Sequence, residues 1–250
     1  MIPQVVFFDL DNTLTESKHP LSPSMVKIVT ALLTRTKVAV TSGAKISLIK
    51  EQVPDTLPEE VKSNLYLLPT SGSELYEYAD GEWKNIYKNT LTPEEVEEIT
   101  VALTKAGTET GLVDFSTPSF GLRIENRGSQ MALTPPGQDA PIEIKAAWDP
   151  ERIKRPILRE AVAKLLPQYE VKAAGRTTID VTKHGIDKAY GVRELSKRLN
   201  IPIEQMVYIG DALFPGGNDE VVKKTGIKTV QTEGPEHTEK LIEELLAQVY

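Results

Sequence analysis

The chain has 250 residues, 40% hydrophobic and 26% charged, with a net charge of −7 and no cysteine. That length can bury a substantial core in one large domain or two modest ones, and the absence of cysteine excludes disulfides, thiolate nucleophiles and cysteine-ligated zinc. The acidic balance argues against a general nucleic-acid-binding surface, which needs a basic footprint, but leaves room for a small anionic substrate held by a few local cations.

In chain order, Gln4 to Phe8 (QVVFF) is a short apolar run, β-branched and aromatic, of the kind buried on both faces of a sheet. Met25, Ile28, Val29, Leu32 and Leu33 then recur at helical spacing, with Ser22 or Ser24 available as the N-cap. Lys37 to Thr41 (KVAVT) predicts a second strand broken by Ser42-Gly43, the stretch through Ile46, Ile49 and Val53 a helix, and Asn64 to Leu68 a third strand. This βαβαβ rhythm is that of a parallel sheet, whose ligands sit beyond the carboxyl ends of the strands. Asp9, Asp11 and Ser42 lie at such ends.

From about Tyr87 the pattern changes. Thr92 as cap, Pro93 at the first position, Glu95 closing a capping box and Gly107 at the end predict a helix. Alternating segments follow at Gly121 to Asn126, Gln130 to Leu133 and Thr177 to Val181, with a helix around Pro156 to Leu166. Mixed strands with helices on one face predict an inserted α+β domain over residues 87–186, between core segments 1–86 and 187–250. The α/β rhythm then returns: a helix from Ala189 to Leu199 ended by Asn200, a strand from Met206 to Ile209, a short helix from Asp219 to Thr225 closed by Gly226, a strand from Ile227 to Val230 and a last helix from Thr238 to Val249. No apolar run approaches the roughly 20 residues of a membrane span and no signal-peptide pattern is visible, so a soluble cytoplasmic protein is expected.

Two polar clusters interrupt these elements. In FFDLDNTLT (7–15), Asp9 and Asp11 end a buried strand one residue apart, where they repel each other and are costly to desolvate. In GDALFPGGND (210–219), Asp211 ends another strand, and a loop with two glycines and a proline returns Asn218 and Asp219 toward it. Taken singly, Asp211 reads as a turn residue and Asp219 as a helix N-cap. Jointly the four acids make an all-oxygen cluster suited to a hard divalent cation such as Mg²⁺. Lys188 in GIDK begins a helix, where a cation opposes the macrodipole and so is not there for helix stability. Ser42 and the N–H groups beside it, Gly43 included, are placed to meet an anion at the next helix N-terminus.

FFDLDNTLT, VAVTSG, GIDK and GDALFPGGND, in that order and spacing, resemble the four motifs of the haloacid dehalogenase superfamily of aspartate-dependent phosphotransferases. The segment between the second and third motifs resembles the type-two cap of its Cof-like and phosphomannomutase-like branch. PGGND, IENRGSQMALTPPGQ (124–138) and TTIDVTKHGIDK (177–188) are most similar to eukaryotic-type phosphomannomutases.

The resemblance implies a Rossmann-like, doubly wound parallel α/β core with an inserted α+β cap that selects the substrate. Asp9 is implied as nucleophile and Asp11 as acid/base. Mg²⁺ is implied on Asp9, the Asp11 backbone carbonyl, Asp211 and Asp219. Ser42, Gly43 and Lys188 correspond to phosphate-binding positions, Arg127 to a cap arginine that grips a distal phosphate, and Thr178 and Asp180 to sugar-hydroxyl contacts. The chain departs from the mutase pattern where a second clamping arginine becomes Gln138 and a third becomes Lys145 or Arg176. Gln brings no charge and Lys lacks the planar fork of Arg. Asn12 stands where a glycine is usual, and tolerates left-handed backbone. The expectation is therefore a Mg²⁺-dependent phosphatase of a sugar phosphate or similar small metabolite, with a phosphomannomutase or phosphoglucomutase as the alternative. The protein is expected to be a monomer or a cap-mediated homodimer.

Overall fold

The computed structural model describes residues 2–247. They form two compact units, one built from residues 2–88 and 187–247, the other from Asn89–Ile186. Among the described residues no helix is long and apolar enough to cross a membrane.

The first unit begins with β1 (Val5–Asp9), α1 (Pro23–Leu33), β2 (Lys37–Thr41), α2 (Ile46–Gln52), β3 (Leu65–Leu68), a one-turn α3 (Pro69–Gly72), β4 (Glu74–Ala79) and β5 (Glu82–Lys88). The second unit contributes α4 (Pro93–Glu109), β6 (Ile124–Asn126), β7 (Met131–Leu133), α5 (Ile142–Trp148), α6 (Lys154–Leu165), β8 (Tyr169–Ala174) and β9 (Thr178–Lys183). The chain then returns with α7 (Lys188–Leu199), β10 (Met206–Gly210), β11 (Lys228–Gln231) and α8 (Pro235–Ala247). The last predicted helix ran to Val249, whose position lies outside the described residues.

The described strands of the first unit form one sheet in the order β11-β10-β1-β2-β3-β4-β5. The pairings from β11 through β3 are parallel, and β3-β4-β5 are antiparallel. Successive side chains alternate between faces. Val6, Phe8, Val38, Val40, Leu65, Leu67, Val207 and Ile209 pack under α1, α2 and α8 on one face. Val5, Phe7, Ala39, Leu68, Met206 and Tyr208 pack under Val192 and Leu195 of α7 on the other. Burial on both faces explains why these strands read as nearly continuous apolar runs. β1 ends at its first polar residue, Asp9.

No sequence expectation covers β4 and β5. They form a hairpin whose turn, Asp80-Gly81, has positive φ at both residues (55° and 79°), the geometry that Asp-Gly supplies between right-twisted strands. Ser22 is the N-cap of α1, accepting the Met25 N–H at 3.1 Å.

In the second unit the described strands form an antiparallel sheet in the order β6-β7-β9-β8. Met131, Leu133, Ile179, Val181 and Val171 on one face join Ile99, Leu103, Leu158 and Val162 from α4 and α6 in a separate core. The capping box at Thr92 and Glu95 is formed. Gly107, expected to end that helix, instead lies inside it, because the chain doubles back there: a Cβ at Gly107 would sit 2.9 Å from Val113 Cβ and 3.0 Å from the Phe115 ring. Glycine in this helix serves close packing rather than termination. Of the predicted strand Gly121 to Asn126, only Ile124–Asn126 is regular. Two elements, α5 and β8, had no counterpart in the sequence reading.

Candidate active site

β1 ends at Asp9, which pairs in register with Thr41, the last residue of β2. On its other side β1 lies in register with β10, Phe8 opposite Ile209, so Gly210 and Asp211 follow at the same sheet edge. Parallel packing thereby brings together carboxylates about two hundred positions apart in sequence. Carboxylate oxygens of Asp9, Asp211 and Asp219 all lie within 4.8 Å of one another.

Lys188, the first residue of α7, is held in place by the Asp187 cap, whose side chain accepts the Tyr190 N–H at 2.8 Å. Its ammonium is buried, donating to Asp9 Oδ1 and, at 2.6 Å, to Asp219 Oδ1. Tyr208 of β10 donates to the same Asp219 oxygen at 2.7 Å. The Tyr208 hydroxyl has one hydrogen, so Thr41 is the donor in the 2.9 Å contact between their hydroxyls. Asp219 Oδ2 accepts the Ala212 N–H at 3.2 Å, and Ala212 returns its carbonyl to the Asp219 N–H at 3.2 Å. This reciprocal pair closes the PGGND loop. Gly217 is required in it, since a Cβ there would meet the Ala212 carbonyl oxygen at 2.0 Å.

The cluster has more negative than positive charge. Burial, opposed by Lys188 and reinforced by Asp219 and Asp211, pushes the Asp9 carboxyl well above the usual range. Burial and the neighbouring Asp219 push Asp211 up to about 6. Burial alone would depress the Lys188 ammonium, but Asp219, Asp9 and Tyr208 outweigh it and hold its pKa well above the usual value. Three carboxylates around one ammonium form a donor set of hard oxygens with uncompensated charge, which fits a small divalent cation.

Asp11 lies outside that trio. Its side chain accepts the Lys18 N–H at 3.0 Å, and Asn12, at φ 60°, adopts the left-handed conformation of the following turn. Ser42 is buried, its hydroxyl accepting the Ala44 N–H at 3.1 Å, with Gly43 half-buried beside it. The turn after β3 packs on this loop: Thr70 and Ser71 donate backbone N–H groups to the Ala44 and Ser42 carbonyls at 2.9 and 2.8 Å. Thr70 and Ser71 have φ of 47° and 58°, a costly conformation for non-glycine residues that these contacts maintain.

The residues singled out in the second unit also gather in one place. Just past the end of β6, Arg127 Nε donates to Glu125 of that strand at 2.8 Å, its Nη2 to Gln138 Oε1 at 3.3 Å, and its Nη1 stands 3.7 Å from Asp180 of β9. Thr178 sits one row away, its hydroxyl 3.1 Å from that of Thr134. Lys145 donates to the Gln138 carbonyl at 2.7 Å, whereas Arg176 is exposed in the β8–β9 turn. Thr41, Tyr208 and Glu125 were not identified from sequence. Tyr208 carried a signal, a hydroxyl in an otherwise aliphatic central strand, which requires a buried partner.

The model of the family described as "Eukaryotic phosphomannomutase" matches residues 25–248. A phosphomannomutase 1 of Dictyostelium discoideum is 26% identical over 98% of this chain and 98% of its own length. A phosphomannomutase of Encephalitozoon cuniculi is 23% identical over 98% of this chain and 94% of its own. Among solved structures, the N-terminally truncated IMP-nucleotidase of Plasmodium falciparum superposes with a TM-score of 0.74 at 17% identity, covering 98% of this chain and 70% of that one, a likeness of fold. With the match spanning nearly the whole sequence, the chain belongs to the eukaryotic phosphomannomutase family, within the haloacid dehalogenase superfamily.

Proposed function

We propose that this chain is a Mg²⁺-dependent phosphatase of a sugar phosphate or similar small metabolite, acting through a phosphorylated Asp9. The observation that carries the phosphotransfer chemistry is the position of Asp9: a buried strand-end carboxylate, oriented through Oδ1 by Lys188 and set beside two further acids. Asp9, Asp211 and Asp219, with the Asp11 carbonyl, would hold the cation, which when bound supplies charge neutralisation and orients the phosphoryl group.

In the first step an Asp9 carboxylate oxygen bonds to phosphorus as the bond from phosphorus to the sugar oxygen breaks, and Asp11 gives its proton to that departing oxygen. In the second, water bonds to phosphorus, Asp11 takes a proton from it and the bond to Asp9 breaks. Ser42 and Lys188 bind the remaining phosphoryl oxygens, a role that is mostly positioning and electrostatics. Lys188 must turn part of its hydrogen bonding from Asp9 toward the phosphoryl group for this. The second unit, as a cap, selects the rest of the substrate.

A second reading, an intramolecular phosphohexomutase, is favoured by the family model and by the names of the relatives above more than hydrolysis is. Hydrolysis is favoured by the cap, where Gln138 stands at the place of a phosphate-clamping arginine and Arg127 is engaged by carboxylates. A mutase must retain a bisphosphate intermediate and exclude water, and a weak distal grip works against both. Incubating the protein and Mg²⁺ with a hexose 1-phosphate, while measuring free phosphate and hexose 6-phosphate together, separates the two. Isomer formed without phosphate release would end the phosphatase reading; an Asp9→Asn protein that turned over normally would end both.

A further inference from the structure

β10 is paired with β11 as far as Gly210, which lies in register with Gln231, the last residue of β11. Thr232 adds one further main-chain bond, its N–H to the Gly210 carbonyl at 2.9 Å. From Asp211 the chain leaves the sheet, and because Ala212 and Leu213 are buried there, their peptide groups need partners from elsewhere. The side chain of Gln231 supplies the missing rung. Its Oε1 accepts the Leu213 N–H at 3.0 Å, and its Nε2 donates to the Asp211 carbonyl and, at 3.0 Å, to the Thr232 carbonyl. Both amide hydrogens and the amide oxygen are thereby used. The partners also fix which way the amide faces, since one N–H needs an acceptor and two carbonyls need donors.

The grip is anchored at its base. Thr232 is buried, and its hydroxyl meets that of Thr238 in α8 at 2.9 Å. The short 3-10 helix Glu220–Thr225 holds the same loop: Lys223 Nζ donates to the Leu213 carbonyl at 2.6 Å, and Glu220 accepts the Gly216 N–H at 2.8 Å. Both main-chain polar groups of Leu213 are therefore met by side chains. Asp219 is oriented through its carboxylate, by Lys188, Tyr208 and the Ala212 N–H. Asp211 is held through its main chain, at the carbonyl that Gln231 binds. Asp9, Asp211 and Asp219 crowd one ammonium, and like charges spread apart wherever the chain that carries them yields. A rigid loop meets that repulsion during folding, so a cation finds the acids already gathered.

We propose that Gln231 is a positioning residue for the cation site: its amide fixes the Asp211 main chain and thereby sets the affinity of the three-acid cluster for Mg²⁺. Gln231 is exposed and outside both hydrophobic cores of its unit, so replacing it leaves the packed interior intact. This rests on the reading of Asp9, Asp211 and Asp219 as a Mg²⁺ site, so the test reads binding apart from turnover. Calorimetric titration of Mg²⁺ into the unaltered protein, Gln231→Met and Gln231→Glu, without substrate, measures the dissociation constant. Gln231→Met, similar in length but without the amide, should raise it at least fivefold. Gln231→Glu keeps an acceptor for Leu213 but turns a carboxylate toward the two carbonyls, and should raise it at least as much. A charge effect alone acts in the opposite direction, because one more carboxylate near the site attracts a cation. The rise in melting temperature produced by a fixed Mg²⁺ concentration, taken against each protein's own melt in chelator, should shrink in both variants; a general loss of stability would leave that difference unmoved. Unchanged Mg²⁺ affinity in Gln231→Met, tighter binding by Gln231→Glu, or a full Mg²⁺-induced rise in both would overturn the proposal. Absence of Mg²⁺ binding by the unaltered protein would overturn it by removing the cation reading beneath it. The phosphatase reading is decided by the hexose phosphate assay above, which none of these titrations uses.

Discussion

The phenol of Tyr208 lies 2.7 Å from Asp219 Oδ1, the same oxygen that Lys188 reaches at 2.6 Å. A central-strand side chain thus anchors the loop acid from behind, and through its 2.9 Å contact with Thr41 links β10 to the end of β2. Burial and Asp219 hold the Tyr208 phenol well above its usual pKa, so it remains a donor.

Tyr208→Phe removes that donor without changing the packed volume. A buried hydrogen bond to a charged group contributes roughly 1.5–3 kcal/mol, so thermal melting should move down by several degrees. Asp219 would also lose one of the three donors that orient it, Lys188 and the Ala212 N–H remaining, and the concentration of Mg²⁺ giving half-maximal stabilisation should rise. An unchanged melting curve and unchanged Mg²⁺ response would show that Tyr208 is only a core residue.

In metal-free protein the cluster should make stability fall with rising pH. The Asp211 carboxyl titrates at about 6 in the folded state, against about 3.9 unfolded, so the native state holds its proton more tightly. The associated stability is complete below the unfolded value and disappears as pH rises through about 6. Asp9 is shifted in the same direction. Melts in chelator should therefore show Asp211→Asn gaining on the unaltered protein between pH 4.5 and 7.5; parallel curves would contradict the charge assignment.

Mg²⁺ should reverse that penalty. At a hundredfold excess over its dissociation constant, a ligand that binds only the folded state stabilises by about 2.7 kcal/mol. At pH 7.5 this raises the melting temperature by several degrees, and Asp211→Asn should lose most of the rise. Equal rises in both proteins would place the cation elsewhere.

Gly210 has no room for a side chain, since a Cβ would lie 2.5 Å from Asp219 Oδ2 and 3.0 Å from the Tyr208 ring. Overpacking a tight site costs roughly 1–3 kcal/mol. Gly210→Ala should accordingly lower stability and reduce kcat more than KM, because it displaces the acid rather than the sugar site. Full activity would mean that Asp219 tolerates displacement.

Local pattern determined a large part of this protein. The fully apolar strands, the acids at their carboxyl ends, the capping box at Thr92 and the left-handed Asn12 follow from periodicity, side-chain size and turn chemistry over a few neighbouring residues. The four motifs fixed the superfamily in the same way, because each is a short stretch with its chemistry intact. The Asp-Gly turn of the β4–β5 hairpin carries an equally local signal.

Only the tertiary structure decided what those residues touch. Lys188 could be a solvated lysine until α7 packs beside β1 and directs it onto Asp9. Gly107 looks like a helix end until the returning Val113 lies across it. Arg127 reads as an exposed strand-end arginine until sheet pairing brings Asp180 within 3.7 Å of it. For Lys188 and Arg127 the deciding partners, Asp9 and Asp180, come from distant parts of the chain, and for Gly107 from the segment that turns back after the helix. Because charge and shape act through space at a few ångströms, local sequence supplies the chemical group while long-range packing sets its state.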